Sequence, residues 1–272
     1  MARSSDTRRS RSPSLNRAAR SHAPTEDERL LAGPTAPPNF TQTDPWRALR
    51  ILGEFVEGFD VLAELGPAVT IFGSARVKPD DPMYQKTVEV AAALGKAGFT
   101  IITGGGPGIM EAGNRGAREA QVPSIGLNIE LPFEQGVNQY VDIGIEFRYF
   151  FVRKTMFVKY AQAFVIFPGG FGTMDELFEA LTLIQTGKVR NFPVILFGSA
   201  YWQGLIDWLR STMLAEGKIA PADLELISVT DSVEEVCTLI AQCTQATPPT
   251  TEREERSHEA IRQVYEQAEG QG

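Results

Sequence analysis

Histidine and cysteine are nearly absent from these 272 residues, which hold only His22, His258, Cys237 and Cys243. Both histidines fall in segments that read as a tail and a terminal helix. A Ser-His-Asp triad, a Cys-His pair or a His-rich zinc site in the core is thereby excluded. The two cysteines lie on one helical pattern and read as buried free thiols of a reducing compartment rather than a disulfide. No apolar run approaches the ~20 residues needed to span a bilayer, so no membrane partner is expected. The Arg- and Ser-rich start lacks the apolar stretch of a secretory signal, which leaves the Asn39-Phe40-Thr41 sequon without meaning and makes a cytoplasmic location the expectation. A Walker A loop is also missing, because Gly95-Lys96, Gly187-Lys188 and Gly217-Lys218 all lack the upstream glycine. Chemistry in this chain must run on carboxylates, Arg, Lys, hydroxyls and backbone amides, with no metal and no cofactor called for.

Acidic residues outnumber basic ones, 34 to 26, for a net charge of −8. That balance argues against nucleic acid as the partner of the folded part. The start of the chain is the exception, with Arg3, Arg8, Arg9, Arg11, Arg17 and Arg20 against Asp6. Such a segment could touch nucleic acid or anionic lipid, but its bland reading, a solvated tail, is preferred.

Three segments follow from composition. Residues 1–42, rich in Arg, Ser, Pro, Thr and Ala, read as a disordered tail. Residues 43–246 form the folded domain, and 247–272 a linker with a charged helix at about Glu252–Glu266. The domain opens with Trp46, Leu49, Leu52, Phe55, Phe59 and Leu62, an amphipathic helix with Asp44 as N-cap before Pro45. Its apolar stripe packs on the domain or on a second subunit. Strands and helices then alternate: strands at Ala68–Phe72, Thr100–Thr103, Ser124–Ile129, Ile143–Phe150, Phe164–Phe167, Val194–Phe197 and Leu226–Val229, and helices at about Pro82–Ala97, Pro107–Ala120, Phe151–Ala161, from the 168–176 segment to Gly187, Tyr201–Glu216 and Val233–Gln242. Short apolar strands alternating with helices specify an α/β fold, a Rossmann-like three-layer sandwich with a mainly parallel sheet.

In such a sheet, ligands bind beyond the carboxyl ends of the strands. Gly73-Ser74 follows the first strand, Gly104-Gly105-Gly106 the second, and Pro168-Gly169-Gly170-Phe171-Gly172-Thr173-Met174-Asp175-Glu176 a later one. The nine-residue segment joins a strand to a helix N-terminus, where free amides and the helix dipole favour a phosphate. Glu176, one turn inside that helix, sets a carboxylate beside the anion site, which phosphate binding alone would not want. Chemistry on a developing cation would. Arg153 starts the preceding helix, and the topology returns it to the same sheet edge. Each element also has a plain reading. The Gly104–Gly106 turn could be only a tight connection, and it fails the dinucleotide fingerprint because Ile109 occupies the third glycine position. Arg76 could be a surface cation, Arg153-Lys154 a helix-face pair, and Asp175 with Glu176 mere complements to the dipole. For the acidic pair, its place beside the Gly-rich turn favours the functional reading.

The pattern PGGFGTMDE at 168–176, with Arg153-Lys154 upstream, GSAR at 73–76 and GGGPGIMEA at 104–112, resembles the Lonely Guy (LOG) family over residues 45–245. Proteins of this pattern often carry an inherited "lysine decarboxylase" label, for which nothing here offers a pyridoxal phosphate site. The resemblance implies a phosphoribohydrolase that splits the N-glycosidic bond of a nucleoside 5′-monophosphate, AMP or an N6-substituted relative, into free base and ribose 5-phosphate. It implies catalytic roles for Arg153 and Glu176. Substrate contacts would come from Lys154, from the turn Gly169, Gly170, Phe171, Gly172, Thr173, Met174 and Asp175, from Thr182, and from Glu134 in a loop of differing length. Gly73, Ser74, Gly104, Gly105 and Gly106 complete the expected site. A homodimer or larger homo-oligomer is implied as well. The alternative is a non-catalytic nucleotide or cofactor carrier on the same fold.

Overall fold

The computed structural model describes residues 24–32, 43–131, 136–245 and 252–269. Ahead of the sheet come α1 (Glu26–Leu31) and α2 (Asp44–Val61). The alternation then runs β1 (Ala68–Phe72), α3 (Pro82–Lys96), β2 (Thr100–Thr103), α4 (Ile109–Glu119), β3 (Ser124–Ile129), β4 (Ile143–Phe147), α5 (Phe150–Tyr160) and β5 (Phe164–Ile166). It continues through α6 (Phe171–Gln185), β6 (Val194–Phe197), α7 (Ser199–Trp208), α8 (Pro221–Leu224), β7 (Ile227–Thr230), α9 (Val233–Gln245) and α10 (Glu252–Glu269).

All seven strands pair in parallel in the order β4-β3-β2-β1-β5-β6-β7. The expected α/β sandwich is thus present. Period-2 alternation sends successive side chains to opposite faces. Val69, Ile71, Ile101, Val165 and Ile195 meet α3, α4 and α9 on one side. Phe72, Ile102, Ile125, Phe164 and Leu196 meet α5, α6 and Trp202 of α7 on the other. Burial on both faces explains why these strands read as unbroken apolar runs. Strand order reverses between β1 and β5, and there Phe72 pairs with Ile166. The segments after those two residues therefore leave the sheet side by side, at the position where open α/β sheets bind ligands.

Several local expectations need correction. Thr43, not Asp44, is the N-cap of α2, and Asp44 instead pairs with Arg47 one turn on. The strand expected to reach Phe150 stops at Phe147 because carboxylates from elsewhere start a helix there. Glu54 accepts the amides of Arg148 (3.1 Å) and Tyr149 (3.4 Å), and Asp27 accepts that of Phe150 (3.1 Å). The stretch assigned to a tail contains α1, opened by a Thr25–Glu28 capping box. Its Glu26 is buried, with the Tyr149 hydroxyl 3.3 Å and Arg50 3.4 Å away. A local Thr-x-x-Glu signal was legible in the sequence, but the partners that hold it were not. The rest of 1–42 lies outside the described residues. Helix α4 begins at Ile109 rather than Pro107, since Gly108 takes φ +72°. Past Trp208, α7 loosens into a π-helical run, Leu209–Leu214. Cys237 and Cys243 form no disulfide with each other and are half-buried rather than fully buried. Helix α10 docks on α6 and α8, with His258 Nε2 2.8 Å from the Ile184 carbonyl and Arg256 paired to Glu225.

A buried polar network locks the turn after β2. Asn114 of α4 is fully buried, accepts from Thr103 Oγ1 (2.6 Å) and Asn138 Nδ2 (2.9 Å), and donates to Ser124 Oγ (2.8 Å). Asn138 in turn donates its amide to the Gly105 carbonyl (2.8 Å). Replacing Asn114 by Ala removes the acceptor of the buried Thr103 hydroxyl and the donor to the buried Ser124 hydroxyl. The Asn114→Ala protein is expected to lose about 2–4 kcal/mol of stability, read as a lowered urea midpoint; an unchanged midpoint would show the network to be dispensable.

Candidate active site

Beyond the carboxyl ends of β1 and β5 opens a cavity of about 890 Å³. Residues 72–77 form one wall and 168–176 the other, with Gly104, Met110, Phe150, Arg153 and Tyr201 between them. The two loops are bonded together: Ser74 N–H donates to the Pro168 carbonyl at 3.0 Å, and Ile109 N–H to the Ser74 carbonyl at 3.0 Å.

The second wall is an anion cradle. The first helical bond of α6 is Met174 N–H to the Gly170 carbonyl, 3.0 Å. That leaves the amides of Phe171, Gly172 and Thr173 without an acceptor inside the helix, at its positive end. Gly170 and Gly172 have open space where side chains would stand. Gly169 is required for room, because a Cβ there would fall 2.1 Å from Thr173 Oγ1. Tyr201 clamps the turn from the next strand connection, donating its hydroxyl to the Gly169 carbonyl at 2.6 Å. Phe171 stands at the rim, 96% exposed.

Glu176 lines the floor, only 6% exposed, and its Oε2 is buried without a hydrogen-bond partner among the described residues. Desolvation pushes its pKa up to about 7, against the opposing pull of Arg153 and then Lys154. Arg153 donates Nε to the Leu127 carbonyl at 2.8 Å, and its guanidinium lies 5.0 Å from the centroid of the Phe157 ring. Burial lowers its pKa to about 10 while Glu176 works in the opposite direction, so it stays cationic at neutral pH. Gly104 makes the space: a Cβ there would sit 2.5 Å from Arg153 Nη2.

Of the residues singled out from sequence, Gly73, Ser74, Gly104, Arg153 and the whole turn Gly169–Glu176 come together around this cavity. Four do not. Gly105 and Gly106 turn their carbonyls to Asn138, and Gly105 packs on Gly126, so they shape the turn rather than the cavity. Lys154 is spent on Asp175 (3.0 Å) and Glu179 (2.9 Å), tying α5 to α6. Thr182 is exposed on α6, its hydroxyl bonded to the Phe178 carbonyl at 2.7 Å. Glu134 lies outside the described residues. Met110, Phe150 and Tyr201 escaped sequence reasoning, and Arg76 was set aside as a surface cation. Only Arg76 had a usable signal, since it follows a strand end directly. Among the described residues, no group of three or more His, Cys, Asp or Glu side chains is arranged to hold a metal ion, and no helix is long and apolar enough to cross a membrane.

A family profile described as "Possible lysine decarboxylase" matches residues 110–240. The chain is 29% identical over 156 residues to the cytokinin riboside 5′-monophosphate phosphoribohydrolase of Mycobacterium tuberculosis, a match spanning 56% of this chain and 82% of that protein. The protein of the same name from Mycobacterium marinum is 27% identical over 160 residues, 57% of this chain and 85% of its own length. Among solved structures, the molybdenum cofactor binding protein of Rippkaea orientalis superposes with a TM-score of 0.50 at 22% identity, covering 67% of this chain and 99% of that one. Likeness at that identity bears on the fold alone.

Glu176 makes stability depend on pH. Its folded pKa, about 7, lies above the ordinary 4.5, so the folded state holds the proton more tightly. The resulting stabilisation is present below pH 4.5 and lost as pH rises through 7, on the order of 3 kcal/mol in all. Glu176→Gln carries no such proton. Its stability relative to the wild type should therefore rise between pH 4.5 and 8, as measured by urea unfolding; parallel curves would place the carboxylate in water.

Proposed function

We propose that the chain, as a member of the Lonely Guy (LOG) family, hydrolyses the N-glycosidic bond of adenosine 5′-monophosphates, AMP and N6-substituted forms, to free base and ribose 5-phosphate. One observation carries this reading: a buried carboxylate with an unpartnered oxygen sits beside an amide-lined anion cradle. A plain phosphate binder gains nothing from that carboxylate.

The 5′-phosphate would sit on the amides of Phe171, Gly172 and Thr173, with the Thr173 hydroxyl close by, leaving the ribose over Glu176. As the bond from the anomeric carbon to the base breaks, its electron pair leaves with the base and positive charge builds on the ring. Ionised Glu176 stabilises that charge and takes a proton from the water that attacks the anomeric carbon, while the departing base takes up a proton from solvent, to which Glu176 then returns its own. Arg153, coupled to Glu176 across the desolvated floor, favours its ionised form.

The apolar stripe of α2 supports a homodimer. Leu49, Leu52 and Val56 are 57%, 58% and 59% exposed, with Trp46 and Phe59 in line with them. Patches of this kind on a folded domain mark interfaces. Helix α2 packs on α5, whose Phe150 lines the cavity and whose Phe151 is exposed, so the junction would lie beside the active site.

Incubation with AMP should release adenine and ribose 5-phosphate, and Glu176→Gln should cut turnover by at least ~10²-fold. Wild-type kcat/KM should climb with pH up to about 7 and level off above it. Tight binding of AMP without product would instead favour a carrier. Sedimentation should give a dimer that the double change Leu52→Glu, Val56→Glu converts to folded monomer; a monomeric wild type would overturn the assembly.

A further inference from the structure

The cradle needs a cation that the motif does not supply. A phosphate monoester carries close to two negative charges near neutral pH, whereas a helix N-terminus offers about half a positive charge. Asp175 and Glu176 stand in the same wall, and the chain as a whole is at −8. Neither cation of the Arg153-Lys154 pair is available. Arg153 is held by the Leu127 carbonyl and the Phe157 ring beside Glu176. Lys154 is neutralised by Asp175 and Glu179 and is not part of the cavity wall.

Arg76 is different. It lines the cavity and is exposed, and its side chain makes no hydrogen bond or ion pair among the described residues. Its root is rigid. Arg76 N–H donates to Ser74 Oγ at 3.1 Å, and Ser74 N–H to the Pro168 carbonyl at 3.0 Å. Behind the loop, Gly108 at φ +72° approaches so closely that a Cβ would lie 2.4 Å from the Ser74 carbonyl oxygen. The pairing of Phe72 with Ile166 sets the two loops level as they leave the sheet. Arg76 therefore starts two residues past a bond to Pro168, and the cradle amides start three residues past Pro168 itself. A long, loosely held guanidinium rooted at a fixed point beside an amide cradle is suited to bidentate capture of a phosphate.

We infer that Arg76 is the phosphate-recognition residue of the site, closing over the 5′-phosphate from the β1 side and selecting nucleotides over nucleosides. The inference builds on the nucleoside monophosphate reading above. It also balances the site: the phosphate's charge is met by Arg76, and the buried Arg153 is left to Glu176.

The test compares wild type, Arg76→Met and Arg76→Lys by calorimetric titration with AMP and with adenosine, alongside AMP hydrolysis. Arg76→Met keeps most of the stem and removes the charge. It should weaken AMP binding about 10- to 100-fold and leave adenosine binding unchanged, with Arg76→Lys recovering part of the loss. In hydrolysis the change should fall mainly on KM rather than kcat. Undiminished AMP affinity in Arg76→Met overturns the inference, and so does an equal loss for AMP and adenosine, which would mean that the loop had merely shifted. If the wild type binds AMP through Arg76 yet releases no adenine, the hydrolase reading fails and Arg76 keeps its role. If Arg76→Met hydrolyses AMP with the wild-type KM, the hydrolase reading stands and the inference alone falls. A wild type that binds no AMP sinks both.

Discussion

Burying a guanidinium and a carboxylate in one cavity floor is costly, and the site depends on the fold bearing that cost. Each ion loses several kcal/mol of hydration even after relaxation. The mutual attraction of Arg153 and Glu176 returns only part of it, as the upward shift of Glu176 and the downward shift of Arg153 both record. Glu176 Oε2 is left with no partner among the described residues. Arrangements of this kind persist where function needs them and where surrounding packing supplies the stability. Here that packing is a seven-stranded sheet with a continuous apolar layer on each face.

The neighbours of Arg153 show how the charge is kept in place. Its Nε is bonded to a β3 carbonyl, its guanidinium lies against Phe157, and the missing side chain of Gly104 leaves room for Nη2. Phe157 is itself fixed by an edge contact with Phe72, ring centroids 4.9 Å apart. Residues from β1, β3, α5 and the turn after β2 thus hold one side chain. Glycines in this site do separate jobs: Gly104 clears space for the Arg153 guanidinium, Gly169 for the Thr173 side chain, and Gly170 with Gly172 leave the cavity wall open.

Elements outside the strand–helix alternation also bear on the site. Asp27 of α1 and Glu54 of α2 accept the amides at the start of α5, where carboxylates complement the positive end of the dipole. Desolvation raises the pKa of both, as befits groups covered by packing. Helix α5 carries Arg153 and begins with Phe150 in the cavity wall. The segment ahead of the sheet is therefore coupled to the candidate site through the N-terminus of one helix.

Short unbroken apolar runs, their regular alternation with 3.6-period stripes and the Gly-rich strand ends were enough to place all seven strands and the main turn, because these signals are local and set by backbone geometry. Sequence also sufficed to bring Arg153 and Glu176 to the same sheet edge, since a helix and a strand of known rise cancel each other's length. It could not say that Lys154 is consumed by Asp175 and Glu179, that Gly105 and Gly106 face Asn138, or that Thr182 stands outside the cavity. Nor could it find Tyr201, which reaches the motif only because β6 lies beside β5. Those outcomes were decided by which side chains meet across neighbouring elements. A pairing of that sort depends on three-dimensional proximity between residues far apart in the chain, and no local pattern encodes it.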